Sequence, residues 1–88
     1  MHDMKHSTIY LRFAEKFVTY TIEQLVELFN REVGNHSWTS MRAAHDCALM
    51  NEFIRRGVNV VAVYDGQEIS FERHINFDSN DNKIIPIY

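Results

Sequence analysis

Two hydrophobic periods alternate along this chain, and the places where one gives way to the other mark its elements. From Thr8 to Phe13, Ile9, Leu11 and Phe13 share one parity while Tyr10 and Arg12 share the other, the pattern of a half-buried strand. Ala14-Glu15-Lys16 reads as a turn and Phe17–Tyr20 as a short return strand, although Phe13 and Phe17 also stand at helical spacing. At Thr21 the period changes. Thr21 and Gln24 fit a capping box, and Ile22, Leu25, Val26, Phe29 and Val33 then recur at helical intervals. Glu23, Glu27 and Arg31 take the wet side of this helix, and Gly34 stands where a left-handed stop belongs.

Asn35-His36-Ser37 links to a second helix that Ser37 or Thr39 can cap and that runs to about Arg56. Ala43, Ala44, Cys47, Met50, Phe53 and Ile54 gather on one side of it. The opposite side mixes Trp38, Met41 and Leu49 with Arg42, His45, Glu52 and Arg56, so the spacing predicts a helix covered on two sides, by the rest of the fold or by another subunit. Gly57 ends it.

Val58–Tyr64 is apolar on both parities, as a central strand buried on both faces would be. Asp65-Gly66 is a two-residue hairpin signal, and Ile69, Phe71, Ile75 and Phe77 form one face of a returning strand in which Arg73 breaks the parity. Asp78–Asn82 is a polar loop. Lys83–Tyr88 is a last short strand whose Pro86 places it at an edge. The fold expected is α+β: an antiparallel sheet of three to five strands with two helices packed on one face, in the order β-(β)-α-α-β-β-β.

Length changes the picture by allowing only one small domain, residues 1–88, with residues 1–6 expected to be disordered. A chain this short buries a modest fraction of its surface, and self-association is a common remedy. Nine Lys and Arg against twelve Asp and Glu give a formal charge of −3, which counts against nonspecific nucleic-acid binding. With one cysteine, Cys47, there is no intramolecular disulfide, and no apolar run reaches the roughly 20 residues of a membrane helix. A cytoplasmic protein is expected.

Candidate chemistry is sparse. His45-Asp46-Cys47 groups three reactive types, but consecutive helical residues point about 100° apart and are not expected to converge. Cys47 reads as a small core residue and His45 as a surface or interface residue. His2, His6, His36, His45 and His74 are scattered, without zinc-ligand spacing on a helix, so neither a metal nor a cofactor is expected. Asp78, Asn80 and Asn82 match the opening of a calcium loop, but Lys83 stands where its glycine belongs.

The reading that follows is a non-enzymatic protein-interaction or regulatory domain acting as a homodimer, with Trp38, Met41, Arg42 and Leu49 in the contact. The alternative rests on element order. Two helices followed by a hairpin are similar to a winged-helix DNA-binding regulator, which implies nucleic-acid contacts from Arg42, His45, Arg55 and Arg56. A small enzyme with a site assembled between subunits is a third reading and expects His45 or His74 beside a carboxylate in a polar pocket.

Overall fold

The computed structural model describes residues 7–35 and 37–88; the expected disorder of residues 1–6 lies outside them, as does His36. Three helices, α1 (Thr8–Phe17), α2 (Ile22–Arg31) and α3 (Ser40–Arg55), precede two strands, β1 (Ile75–Asp78) and β2 (Lys83–Pro86). The protein is thus a small α+β fold with an antiparallel two-stranded sheet among the described residues, where three to five strands were expected.

The first correction is α1, which replaces both predicted N-terminal strands. Tyr10, Phe13, Ala14 and Phe17 form a helical stripe that competes with the alternating one. The stripe wins because α3 offers it a surface: Tyr10 and Phe17 are buried, whereas Ile9 and Leu11 face outward. Ser7 caps the helix, accepting from the Tyr10 N–H at 2.9 Å. Its other end is held by Arg56 of the chain after α3, whose Nη2 donates to the carbonyls of Phe17 (2.9 Å), Val18 (3.3 Å) and Tyr20 (2.6 Å). The first two are carbonyls that the end of a helix leaves without intrahelical donors, and Tyr20 stands in the link to α2.

Local signals decide the next two helices. The Thr21–Gln24 capping box forms in both directions, at 3.1 and 2.8 Å. Thr39 caps α3 by accepting from the Arg42 N–H. Gly57 (φ +77°) closes α3 in a Schellman motif: its N–H donates to Ile54 and the Val58 N–H to Phe53. As its mixed composition predicts, α3 is covered on more than one side, by α1 and by α2. Phe17, Leu25, Phe29, Leu49, Met50, Phe53 and Ile75 fill the interior, each contributing about 1.5–3 kcal/mol by burial.

The second correction concerns Val58–Tyr64, which is a turn instead of a central strand. Asn59 is the cause. Its side chain accepts from the Val61 N–H at 2.9 Å, an Asx turn that bends the chain away, and the N–H groups of Val63 and Tyr64 fold back onto the Val60 carbonyl. Val58, Val60 and Val63 still reach the core. Around Asp65-Gly66 a turn does form, but its flanks are joined only by a single bridge, Tyr64 to Ile69. The Asp65 carboxylate accepts from the N–H groups of Gln67 and Glu68 and widens the loop beyond two residues. Regular pairing starts at Ile75, opposite Pro86. There the Asn30 side chain bonds both backbone groups of Ile75, at 2.8 and 3.1 Å, and so acts as a neighbouring strand. The Asp78–Asn82 loop forms as expected, with the Asp78 carboxylate accepting backbone N–H groups of the loop.

Candidate functional site

The N-terminal end of α3, the chain after α2 and the loop Val61–Glu72 enclose an open groove of about 890 Å³. Its walls carry Trp38, Tyr64, Ile69 and Phe71, and its charged residues are Arg42, Asp65, Glu68 and Glu72. Gly34 (φ +81°) turns the chain out of α2, and its N–H donates to the Phe71 carbonyl, which ties the two walls together. Phe71 stacks on the buried Phe29 with ring centroids 4.6 Å apart.

Arg42 organises one wall. Its Nη1 donates to the carbonyls of Asn35 (2.7 Å) and Ser37 (2.6 Å), and its guanidinium lies 5.5 Å from the Trp38 ring centre and 5.2 Å from that of Phe71. Trp38 is therefore held in place although 65% exposed, and Met41 nearby is 59% exposed. Leu49 differs from these two. It is 0% exposed, inside the core and away from any shared surface with Trp38, because α3 is wrapped by α1 and α2 at that turn.

Behind Arg42 lies a second feature. His45 and Asp46, adjacent on α3, do converge, contrary to the expectation from their 100° separation. His45 Nδ1 donates to Asp46 Oδ1 at 3.1 Å and stands 3.4 Å from Glu32 Oε1, at the end of α2. Arg42 Nε is 3.4 Å from Asp46 Oδ2 and 3.7 Å from Glu32 Oε1. Phe13 and Phe17 of α1 present ring edges to the imidazole at 5.1 and 5.2 Å, so His45 is packed between helices instead of lying at a surface.

Burial works against the His45 charge, but hydrogen bonds to Asp46 and Glu32 and their negative charges outweigh it and raise its pKa to about 9. Burial pushes the Asp46 carboxyl up to about 6, with His45 pulling against it and Glu32 adding to it. Burial acts the same way on Glu32, but contacts with His45 and Asp46 and the charges of His45 and Arg42 hold its carboxyl below the ordinary value. Three buried atoms of this cluster, Glu32 Oε2, Asp46 Oδ2 and Arg42 Nε, have no hydrogen-bond partner.

Sequence reasoning did not single out Glu32, since only the turn between α2 and α3 brings it to His45. A signal for Asp46 was available: with Met50 and Phe53 it falls at i, i+4, i+7 on the apolar side of α3. Cys47 packs beside the core, and Asn51 donates to its sulfur at 3.6 Å.

The residues of the nucleic-acid alternative are divided. Arg42 and His45 belong to the cluster just described. Arg55 and Arg56 lie at the other end of α3, roughly 15–21 Å away at 1.5 Å per residue, where both bond Glu52. His74 is exposed, in the chain before β1. No helix among the described residues is long and apolar enough to cross a membrane. Comparisons with protein-family models, with curated proteins and with solved structures give no match to this chain.

Proposed function

We propose that this chain is a non-enzymatic protein-interaction domain that takes a cationic, apolar segment of a partner protein into the groove beside Trp38. The observation that carries this reading is Trp38 itself: an exposed indole, fixed by Arg42 at the mouth of a groove with aromatic walls. A rigid aromatic anchor of this kind loses little entropy on binding and is typical of residues that dominate interfaces. The sign of the partner follows from charge. The Arg42 guanidinium is already set against Glu32 and Asp46, whereas Asp65, Glu68 and Glu72 line the groove. Backbone hydrogen bonds from Glu68 and Gln67 hold the Asp65 carboxyl below its usual range, and hence ionised.

A second copy of the chain is the other occupant, and the one that the short length of the chain and the second apolar set on α3 suggest. A symmetric dimer matches a patch with itself, which would set these three carboxylates against their own copies, so the cationic segment is the better fit.

Trp38 is the single tryptophan, so its fluorescence reads the groove directly. An alternating Lys-Leu peptide is expected to shift the emission, and a Glu-Leu peptide of equal length is not. The Lys-Leu response should weaken with salt and with Glu68→Lys/Glu72→Lys. Solution mass is measured alongside across a concentration series. A dimer that Trp38→Ala dissociates without unfolding would make a second copy the occupant and overturn the cationic segment. A monomer whose fluorescence ignores both peptides would end the interaction reading at this groove.

A further inference from the structure

The cluster behind Arg42 brings three side chains of metal-ligating type together. We propose that Glu32, His45 and Asp46 form a binding site for a divalent transition-metal ion, with Zn²⁺ the best match, through Glu32 Oε1, His45 Nδ1 and Asp46 Oδ1 and with water in the remaining position.

Four observations support the site. One donor atom of each of the three side chains lies within 4.8 Å of the others. The His45–Asp46 and His45–Glu32 separations, 3.1 and 3.4 Å, bracket the edge of about 3.3 Å of a tetrahedron whose centre is 2.0–2.1 Å from nitrogen or oxygen ligands. Asp46 is 1% exposed, and its Oδ2 and Glu32 Oε2 accept no hydrogen bond; these are not the oxygens assigned to the ion, but they show that the charge of both buried carboxylates is incompletely compensated by hydrogen bonds. The surroundings also suit a metal ligand set. Phe13 and Phe17 pack against the imidazole ring, and Arg42 lies nearer to Asp46 Oδ2, the oxygen that the ion would not use (3.4 Å), than to Glu32 Oε1 (3.7 Å), as an outer residue that orients a ligating carboxylate.

The donor set selects the metal. One imidazole and two carboxylates suit Zn²⁺ better than Mg²⁺ or Ca²⁺, which prefer oxygen alone. The ion would replace the proton that His45 Nδ1 shares with the two carboxylates, and would tie the end of α2 to α3 directly behind the groove wall. This site shares Arg42 with the proposed groove but does not depend on a groove ligand.

The test uses the full chain carrying His2→Ala/His6→Ala, which removes a competing i,i+4 histidine pair. Zn²⁺ is titrated by calorimetry and thermal melting, and Co²⁺ by absorption. Expected are one ion per chain, a higher Tm, and a Co²⁺ spectrum of tetrahedral type without a thiolate charge-transfer band. His45→Gln and Glu32→Gln, each checked for folding, should weaken Zn²⁺ binding by about 100-fold or more, beyond what loss of an outer-shell partner costs. Unchanged binding in folded His45→Gln, no binding by the parent chain, or a thiolate band that implicates Cys47 would each overturn the assignment.

Discussion

The two ends of α3 each bury a carboxylate among cations, but only one end satisfies it. At the C-terminal end, Glu52 Oε1 accepts from Arg55 Nε at 2.9 Å, and Oε2 accepts from Arg55 Nη2 and Arg56 Nε at 2.7 and 2.5 Å. Hydrogen bonds from Arg55, against the cost of burial, and then those from Arg56 hold its carboxyl below the ordinary value. Arg56 Nη2 donates to carbonyls at the end of α1 and in the link to α2. At the N-terminal end Asp46 is equally buried, but its carboxyl is pushed up, and three atoms around it lack partners. Buried ion pairs stabilise only when geometry and hydrogen bonds are complete. The C-terminal cluster therefore reads as a clamp on the fold. The N-terminal cluster, next to the groove, leaves hydrogen-bonding capacity unused.

That contrast can be broken in several ways. The largest expected effect is at the clamp. Arg56→Ala removes a partner of buried Glu52 and the donor to the carbonyls of Phe17, Val18 and Tyr20 at and beyond the end of α1, and urea unfolding should show a loss of about 3 kcal/mol. A loss below that of Asp46→Asn would reverse the assignment of the two ends.

Next in size is the dependence on pH, measured with chelator present. His45 is raised from 6.5 to about 9 in the folded chain, so the folded state binds more protons between those values. Its contribution is fully present below pH 6.5 and lost as pH rises through about 9. The clamp responds at the other extreme. The Glu52 pKa is lowered from 4.5, so its contribution is present above pH 4.5 and lost as pH falls through the folded value. His45→Gln should flatten the alkaline slope, reduce the acid contribution of Glu32, which His45 helps to hold down, and leave that of Glu52.

Asp46→Asn keeps the shape and removes a charge that burial already disfavours, so a loss of only about 1 kcal/mol is expected in the same unfolding assay. The smallest stability effect is expected of Trp38→Ala, within about 0.5 kcal/mol as for other exposed positions, while the groove loses its anchor. Leu49→Ala, by contrast, should cost about 3 kcal/mol as a core truncation, which separates two residues that the sequence places on one face.

Signals that act over one or two helical turns were legible. The Thr21–Gln24 box, the stops at Gly34 and Gly57, the edge strand with Pro86 and the Asp78–Asn82 loop all stand as read. Each depends on hydrogen bonds and backbone preferences among near neighbours. Trp38 and Arg42, both singled out from the sequence, lie next to each other in the structure, with the guanidinium 5.5 Å from the indole centre. Their groove was not visible, because its second wall comes from residues 61–72.

What tertiary structure alone decided were the choices between two patterns that the same residues satisfy. Tyr10, Phe13 and Phe17 compete with Ile9, Leu11 and Phe13, and the helix prevails because α3 supplies an apolar surface for it. The β-rich run after Gly57 has strand propensity, but propensity needs a partner to pair with; Asn59 turns the chain first, and α1 occupies the place in the chain that the expected N-terminal strands would have filled. His45 and Asp46 point apart on an isolated helix. They meet only because Glu32 arrives from α2 and the rings of α1 close over the imidazole, a convergence of three elements that no local spacing encodes.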